Sequence, residues 1–301
     1  MKQLLSFPKL PSVMIFAGLL FFASCKKDNN TNTADNPDPQ LLVDAAQNDD
    51  IADQQFNDVF NISMGVQSSD AGTDIGLGTG SNIVYRSYNA EKVYSPTDRC
   101  FTVTVDPKGA GNFPKTVTLD FGTECTGKDG KVRSGKIITV FSGPMSTAGS
   151  KATSTFENYK VDSFTIGGTQ IIENSSSSNK QAWTRSVVDG KVTNTNSGRW
   201  VEWNAVHEHT QTEGNGTPLD PKDDVYKITG NSSGSNSNNN SWITEITQPL
   251  MRSFICKWRE KGEITLTRKS NTITAVLDYG DGTCDNKATI TIKGITIPIT
   301  L

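Results

Sequence analysis

An all-β, mostly antiparallel protein with one N-terminal α-helix is predicted by three observations: two-residue alternation of apolar side chains, Asp-Gly turn pairs at short spacing, and a low apolar content. Cys100 to Asp106 carries Phe101, Val103 and Val105 on one face, and Thr116 to Phe121 carries Val117, Leu119 and Phe121. Asp129-Gly130, Asp189-Gly190 and Asp281-Gly282 are pairs that tolerate positive φ in tight turns. Short connections favour a meander of hairpins, because parallel strands need long crossovers. Hydrophobic residues are 34% of the chain and the mean hydropathy is -0.44. Thr, Ser, Asn and 26 Gly make up the difference. One large sheet with a wet face, flat or curved into a half-barrel, fits that balance better than a sheet buried on both faces.

The first segment is built like an export signal. Met1, Lys2 and Lys9 give a positive start, Leu10 to Phe22 supply a short apolar run, and Phe22-Ala23-Ser24-Cys25 ends it with small residues before a cysteine. The run is about 13 residues, against the roughly 20 of a spanning helix, so residues 1–24 read as a removable signal peptide. Its end is similar to a lipobox, with Phe22 where Leu is usual. The similarity implies an acylated Cys25, a mature chain that starts there, and attachment through the lipid to a membrane outside the cytoplasm. Lys26 stands where an inner-membrane retention signal would place Asp, which directs the expectation to the outer membrane. The competing reading is an ordinary secretory signal, with Cys25 removed or left as an odd thiol.

About 276 residues follow Cys25, enough for one large β domain or two smaller ones. Residues 25–40 are polar, contain Pro and lack aromatics, the composition of a flexible tether. Residues 41–66 read as a helix that packs on the sheet: Ile51, Gln55 and Val59 form one row and Ala52, Phe56 and Phe60 the next. The remainder, 67–301, is expected to be the β domain. Thr153 to Ile172, Ala182 to Val188, Lys191 to Glu208, Asp224 to Gly230 and Trp242 to Thr247 are among its strand candidates, with Asp189-Gly190 as a turn between two of them. Ser175 to Asn179 and Gly230 to Ser241 read as long loops, the second alternatively as the end of a hairpin.

A repeat organises the cysteines. Cys100 precedes a strand, a loop, Val117-Thr-Leu-Asp-Phe-Gly and Cys125; Cys256 precedes a strand, a turn, Ala275-Val-Leu-Asp-Tyr-Gly and Cys284. If Val105 faces Val117, Cys100 lies close to Cys125. Pairing Arg268 with Ile273 leaves Cys256 one position from Cys284, an offset that a bulge near Gly280 to Gly282 absorbs. Disulfides Cys100–Cys125 and Cys256–Cys284 are therefore expected, in units 100–125 and 256–284, and an exported chain meets an oxidising compartment. Zinc ligation by these cysteines is the alternative, and their wide spacing counts against it.

Phe113-Pro-Lys-Thr-Val-Thr-Leu-Asp-Phe-Gly, the run from Cys125 to Ile138, Phe156-Glu-Asn-Tyr, Asp223-Asp-Val-Tyr-Lys-Ile-Thr-Gly and Leu277-Asp-Tyr-Gly-Asp-Gly-Thr-Cys together resemble segments of a family of uncharacterised outer-membrane lipoproteins from Bacteroidota. The resemblance spans about Asn82 to Gly294. It implies location and fold, and carries no activity.

Candidates for chemistry are few. His207-Glu208-His209 places the protein's two histidines on one side of a strand, where both imidazoles can reach one cation. An exposed strand face that happens to carry two histidines is the plainer expectation, with no metal bound. The segment Asp278 to Asp285 looks like a calcium loop, but Gly280 and Gly282 occupy positions that need oxygen ligands. Asp120 and Asp278 recur at matching points of the repeat, which suits turn capping better than acid–base work. Trp183, Trp200, Trp203, Trp242 and Trp258 offer stacking surfaces for sugars or core packing, with Trp200 and Trp203 on opposite faces. No GxSxG nucleophile motif occurs. A net charge of -3 gives no basic field for nucleic acid. The expectation is a lipid-anchored, non-catalytic binding or structural module without a cofactor. Its membrane contact is the lipid, and its candidate ligands are a glycan or a lipophilic molecule. A carrier of a lipophilic ligand and a glycan hydrolase are the alternative functions.

Overall fold

Residues 39–63, 100–107, 112–127, 129–178, 180–216 and 223–301 are described by a computed structural model. The signal peptide, Cys25, the tether up to residue 38 and the last residues of the expected helix, 64–66, lie outside them. The described part has one helix, Pro39–Ser63 (α1), and fourteen strands in one sheet. These are Thr102–Asp106 (β1), Lys115–Asp120 (β2), Cys125–Thr126 (β3), Val132–Phe141 (β4), Lys151–Val161 (β5), Phe164–Asn174 (β6) and Ala182–Asn194 (β7). Then follow Trp200–Glu213 (β8), Val225–Asn236 (β9), Ser241–Ser253 (β10), Lys261–Arg268 (β11), Thr274–Asp281 (β12), Lys287–Ile292 (β13) and Ile295–Thr300 (β14). Each strand lies antiparallel to its neighbours in chain order, apart from the short β3, which pairs β4 beside the main path. The meander is open, since β1 and β14 end the path without pairing each other.

The repeat units fold as their alternation predicts. Val103 faces Leu119 and Val105 faces Val117, while Leu266 faces Ala275 and Ile264 faces Leu277. The one-residue offset in the second unit is absorbed where Lys261 faces Asp281 and Glu263 faces Asp278. Cys100 is bonded to Cys125 and Cys256 to Cys284, with Cα atoms 5.1 and 5.8 Å apart. Asp120 accepts from the Gly122 amide at 2.9 Å and Asp278 from the Gly280 amide at 2.8 Å. Both glycines have positive φ, so the recurring Asp caps a turn that glycine adopts without strain.

Four local expectations change. Pro39 and Gln40, expected at the end of the tether, already belong to α1, where Pro suits the first turn because its missing N–H has no helical partner. Thr153 to Ile172 is two strands of a hairpin, β5 and β6. Asp189-Gly190 does not turn the chain: it forms a bulge inside β7, opposite a register shift between Val187 and Gly190, and the turn comes at residues 195–199. The positive φ of Asp189 serves the bulge instead of a hairpin. The Gly/Ser/Asn run 230–236 is strand, and residues 231–235 are paired on both sides. A Cβ on Gly234 would lie 2.5 Å from the Trp242 ring, so a residue that weakens a strand by propensity is required here by close packing.

The sheet wraps around α1. Asp58 bonds Arg133 of β4, and Gln47 donates to the Thr300 carbonyl of β14 at 2.8 Å. Residues 47 and 58 lie about 16 Å apart along a helix, whereas the ten strand spacings from β4 to β14 would span about 48 Å if flat. Only strong curvature lets β4 and β14 meet one helix. Pro39 and Gln40 are the exposed residues of α1; all the others are buried or half-buried. Leu42, Ala45, Ala52, Phe56, Val59 and Ile62 join the core formed with Trp183, Trp203, Trp242, Leu266 and Leu277.

Candidate functional site

Inside this wrap lies an ionic centre. Asp49, Asp50 and Asp53 are buried on α1, and they meet side chains from the inward rows of β7 to β10 and the segment before β11. Asp53 pairs with Arg185, with Arg259 at 3.1 Å and with Arg252 at 3.7 Å. Asp50 lies 3.9 Å from Arg259 and accepts from Gln54 at 2.6 Å. One Asp49 oxygen accepts from the Trp203 indole at 2.8 Å, the Trp242 indole at 3.1 Å and the Ser232 hydroxyl at 2.6 Å. The polar character of the β9 sequence is thus used inward, where Ser232 supplies a hydroxyl to a buried carboxylate.

Electrostatics separate the members. Burial works to raise the Asp53 carboxyl, but Arg259 and Arg185 outweigh it and hold it well below the usual carboxylate range. Burial dominates at Asp50 and lifts it to about 6. Burial also pushes the Arg252 guanidinium down to about 10. Three buried arginines face three buried aspartates, an arrangement in which removing one member leaves a buried charge without its counterpart.

The histidines stand on this centre, which corrects the expected exposed strand face. His207 and His209 are 2% and 6% exposed. His207 Nδ1 lies 3.0 Å from Arg185 Nη2 and 3.5 Å from Asp53 Oδ1. Burial pushes the His207 imidazole below its ordinary value against the opposing pull of Asp53, and pushes His209 well below it. His209 stacks on Phe60 with ring centroids 5.9 Å apart, and its Nε2 has no hydrogen-bond partner. It borders a cavity of about 30 Å³ beside Asn61 and Arg252, room for only a few waters.

Arg185, Arg252 and Arg259 surround Asp53, the carboxylate close to His207, and take up its oxygens. Among the described residues, one trio of potential ligands approaches within sharing distance: Cys256, Glu260 and Cys284. Its sulfurs are bonded to each other and Glu260 accepts from Ser253. Trp183, Trp203 and Trp242 are core, while Trp200 and Trp258 are half-buried with Lys191 and Lys257 over their rings. The five do not form one stacking platform.

The sequence reading missed the acids and arginines of this centre. A signal was present: Asp49 and Asp53 share the helical side of Phe56 and Phe60, and His207 and His209 share strand parity with Val201, Trp203 and Ala205. No family model, no curated protein and no solved structure matches this chain.

Proposed function

We propose that the mature chain begins at Cys25, is held at the outer membrane by a lipid on that cysteine, and acts there as a non-catalytic binding or structural module. The signal segment supports the address, and two disulfides suit an oxidising compartment. One observation carries the choice among functions: α1 fills the concave side of the sheet, and its buried acids are closed onto arginines and indoles. A carrier of a lipophilic ligand needs an empty apolar hollow on that side. A glycan hydrolase needs two carboxylates converging on an open cleft, whereas Asp49, Asp50 and Asp53 are buried.

The test is fractionation of cells producing the full chain or its Cys25→Ala variant. The unaltered protein is expected with the outer membrane and the variant, once exported, in the soluble fraction. A Cys25→Ala protein that is exported and still sediments with the membrane overturns the anchor.

A further inference from the structure

We propose that a groove of about 330 Å³ beside the start of α1, at the ends of the β7–β8 and β9–β10 hairpins, binds a neutral polyhydroxylated ligand, a mono- or disaccharide. The proposal rests on the binding-module reading and names its site and ligand class. The volume falls in the range of small-molecule sites, about 300–1,000 Å³.

The charged groups here differ from those of the ionic centre in one respect: they are not paired with each other. Asp44 and Arg199 both line the groove, yet they form no ion pair, and no described residue pairs with either. The Asp44 carboxylate receives one hydrogen bond, from Gln40 at 3.0 Å, which leaves its second oxygen for a donor, while its backbone carbonyl accepts from Asn48 at 2.5 Å. The guanidinium of Arg199 offers donors only. A sugar hydroxyl both donates and accepts, so two neighbouring hydroxyls can give a proton to Asp44 and take one from Arg199. A ligand of either charge would meet a like charge in the same groove, which selects a neutral one.

The two hairpin ends supply a pre-built rim. Asn194 Oδ1 accepts from the amides of Asn196 and Ser197 at 3.0 and 3.1 Å, and Asn236 Oδ1 accepts from those of Asn238 and Asn240 at 3.0 and 3.2 Å. Each side-chain oxygen is thus spent on its own turn. Neither amide nitrogen has a protein partner among the described residues. That of Asn236 is the more telling, because the residue is 3% exposed and borders the groove. Two fixed amide donors therefore stand beside one carboxylate and one guanidinium. Half-buried Phe164 and Ile51 line the same groove and give the apolar face of a pyranose a surface to cover. Fixed turns reduce the ordering that binding requires.

The experiment is calorimetric titration of the purified full-length mature protein with glucose, galactose, N-acetylglucosamine, maltose and cellobiose, with glucuronate as the charged counterpart of glucose. Saturable binding of at least one neutral sugar is expected, and Asp44→Asn and Arg199→Ala should each weaken it about tenfold or more without moving the unfolding midpoint. No saturable binding of any neutral sugar, or binding that both variants leave unchanged, overturns the proposal, as does glucuronate binding more tightly than glucose. Fractionation of Cys25→Ala reads the anchor independently: a membrane-bound protein that ignores sugars refutes the groove alone, and a Cys25→Ala protein that remains on the membrane refutes the anchored-module reading alone.

Discussion

Asp53 and Asp44 sit on one helix and face different fates. Asp53 is enclosed by Arg185, Arg252 and Arg259, and Asp44 borders an open groove in which Arg199 remains apart from it. Both sites combine helix acids with arginines from the strands or the segments that join them. What separates them is access: in the closed centre the charges have only each other, so their contacts serve to fix the helix inside the sheet. In the groove, water already solvates both charges, and a direct pair would add little. The same residue types stabilise a fold when desolvated together and recognise a ligand when held apart.

Breaking the closed centre should give the largest effect. Asp53→Ala leaves Arg185, Arg252 and Arg259 without their shared carboxylate, and a loss of about 3–5 kcal/mol in unfolding free energy is expected by denaturant titration at neutral pH. A change below about 1 kcal/mol would mean that the centre is not the anchor of α1.

Acid sharpens the comparison, because the closed centre contains groups shifted in opposite senses. Asp50 titrates at about 6 in the fold against 3.8 unfolded, so the native state binds more protons between those values and this group adds stability as pH falls through that window. His207 and His209 are depressed below 6.5, so the unfolded chain takes up their protons first and their contribution is lost as pH falls below 6.5. Asp53, held well below 3.8, keeps its contribution until the pH drops beneath that value. Asp50→Asn removes the one compensating group. Its stability should therefore fall more steeply than that of the unaltered protein between pH 6 and 4, with the gap growing by about 2 kcal/mol. Parallel curves would show that Asp50 is not raised.

The smallest effect is expected at the groove. Asp44→Asn and Arg199→Ala should each change unfolding free energy by no more than about 0.5 kcal/mol, measured alongside Asp53→Ala. A larger loss would make them structural partners and erase the contrast with the closed centre.

Strand pairing in the two disulfide units was legible because each is local: a hairpin whose register follows from alternation and whose cysteines lie at its end. The position of the histidines was legible in part. Parity placed His207 and His209 with Trp203, but a polar pair on a strand suggests water unless a counter-charge is known to wait on the same side. That counter-charge comes from Asp53, more than a hundred residues earlier in the chain, and no local pattern connects the two. The Asp189-Gly190 pair shows the converse limit, since positive φ at Asp189 suits a bulge as well as a turn and the pairing of β7 with both neighbours selects the bulge. The Ser/Asn-rich part of β9 was masked by composition: its side chains carry no apolar alternation, and its place in the sheet depends on Trp242 covering Gly234 and on Asp49 receiving Ser232.

By itself, the amino-acid sequence determined the antiparallel meander, the helix that precedes it and the two disulfide hairpins, because side-chain period, turn chemistry and short loop closure act over a few tens of residues. The tertiary structure alone decided that the sheet curls around α1, that Asp49, Asp50 and Asp53 face inward to arginines and indoles, and that Asp44 and Arg199 border one groove unpaired. Those outcomes depend on which distant charges are desolvated together, and desolvation is a property of the packed molecule that no stretch of chain possesses before the sheet closes over the helix.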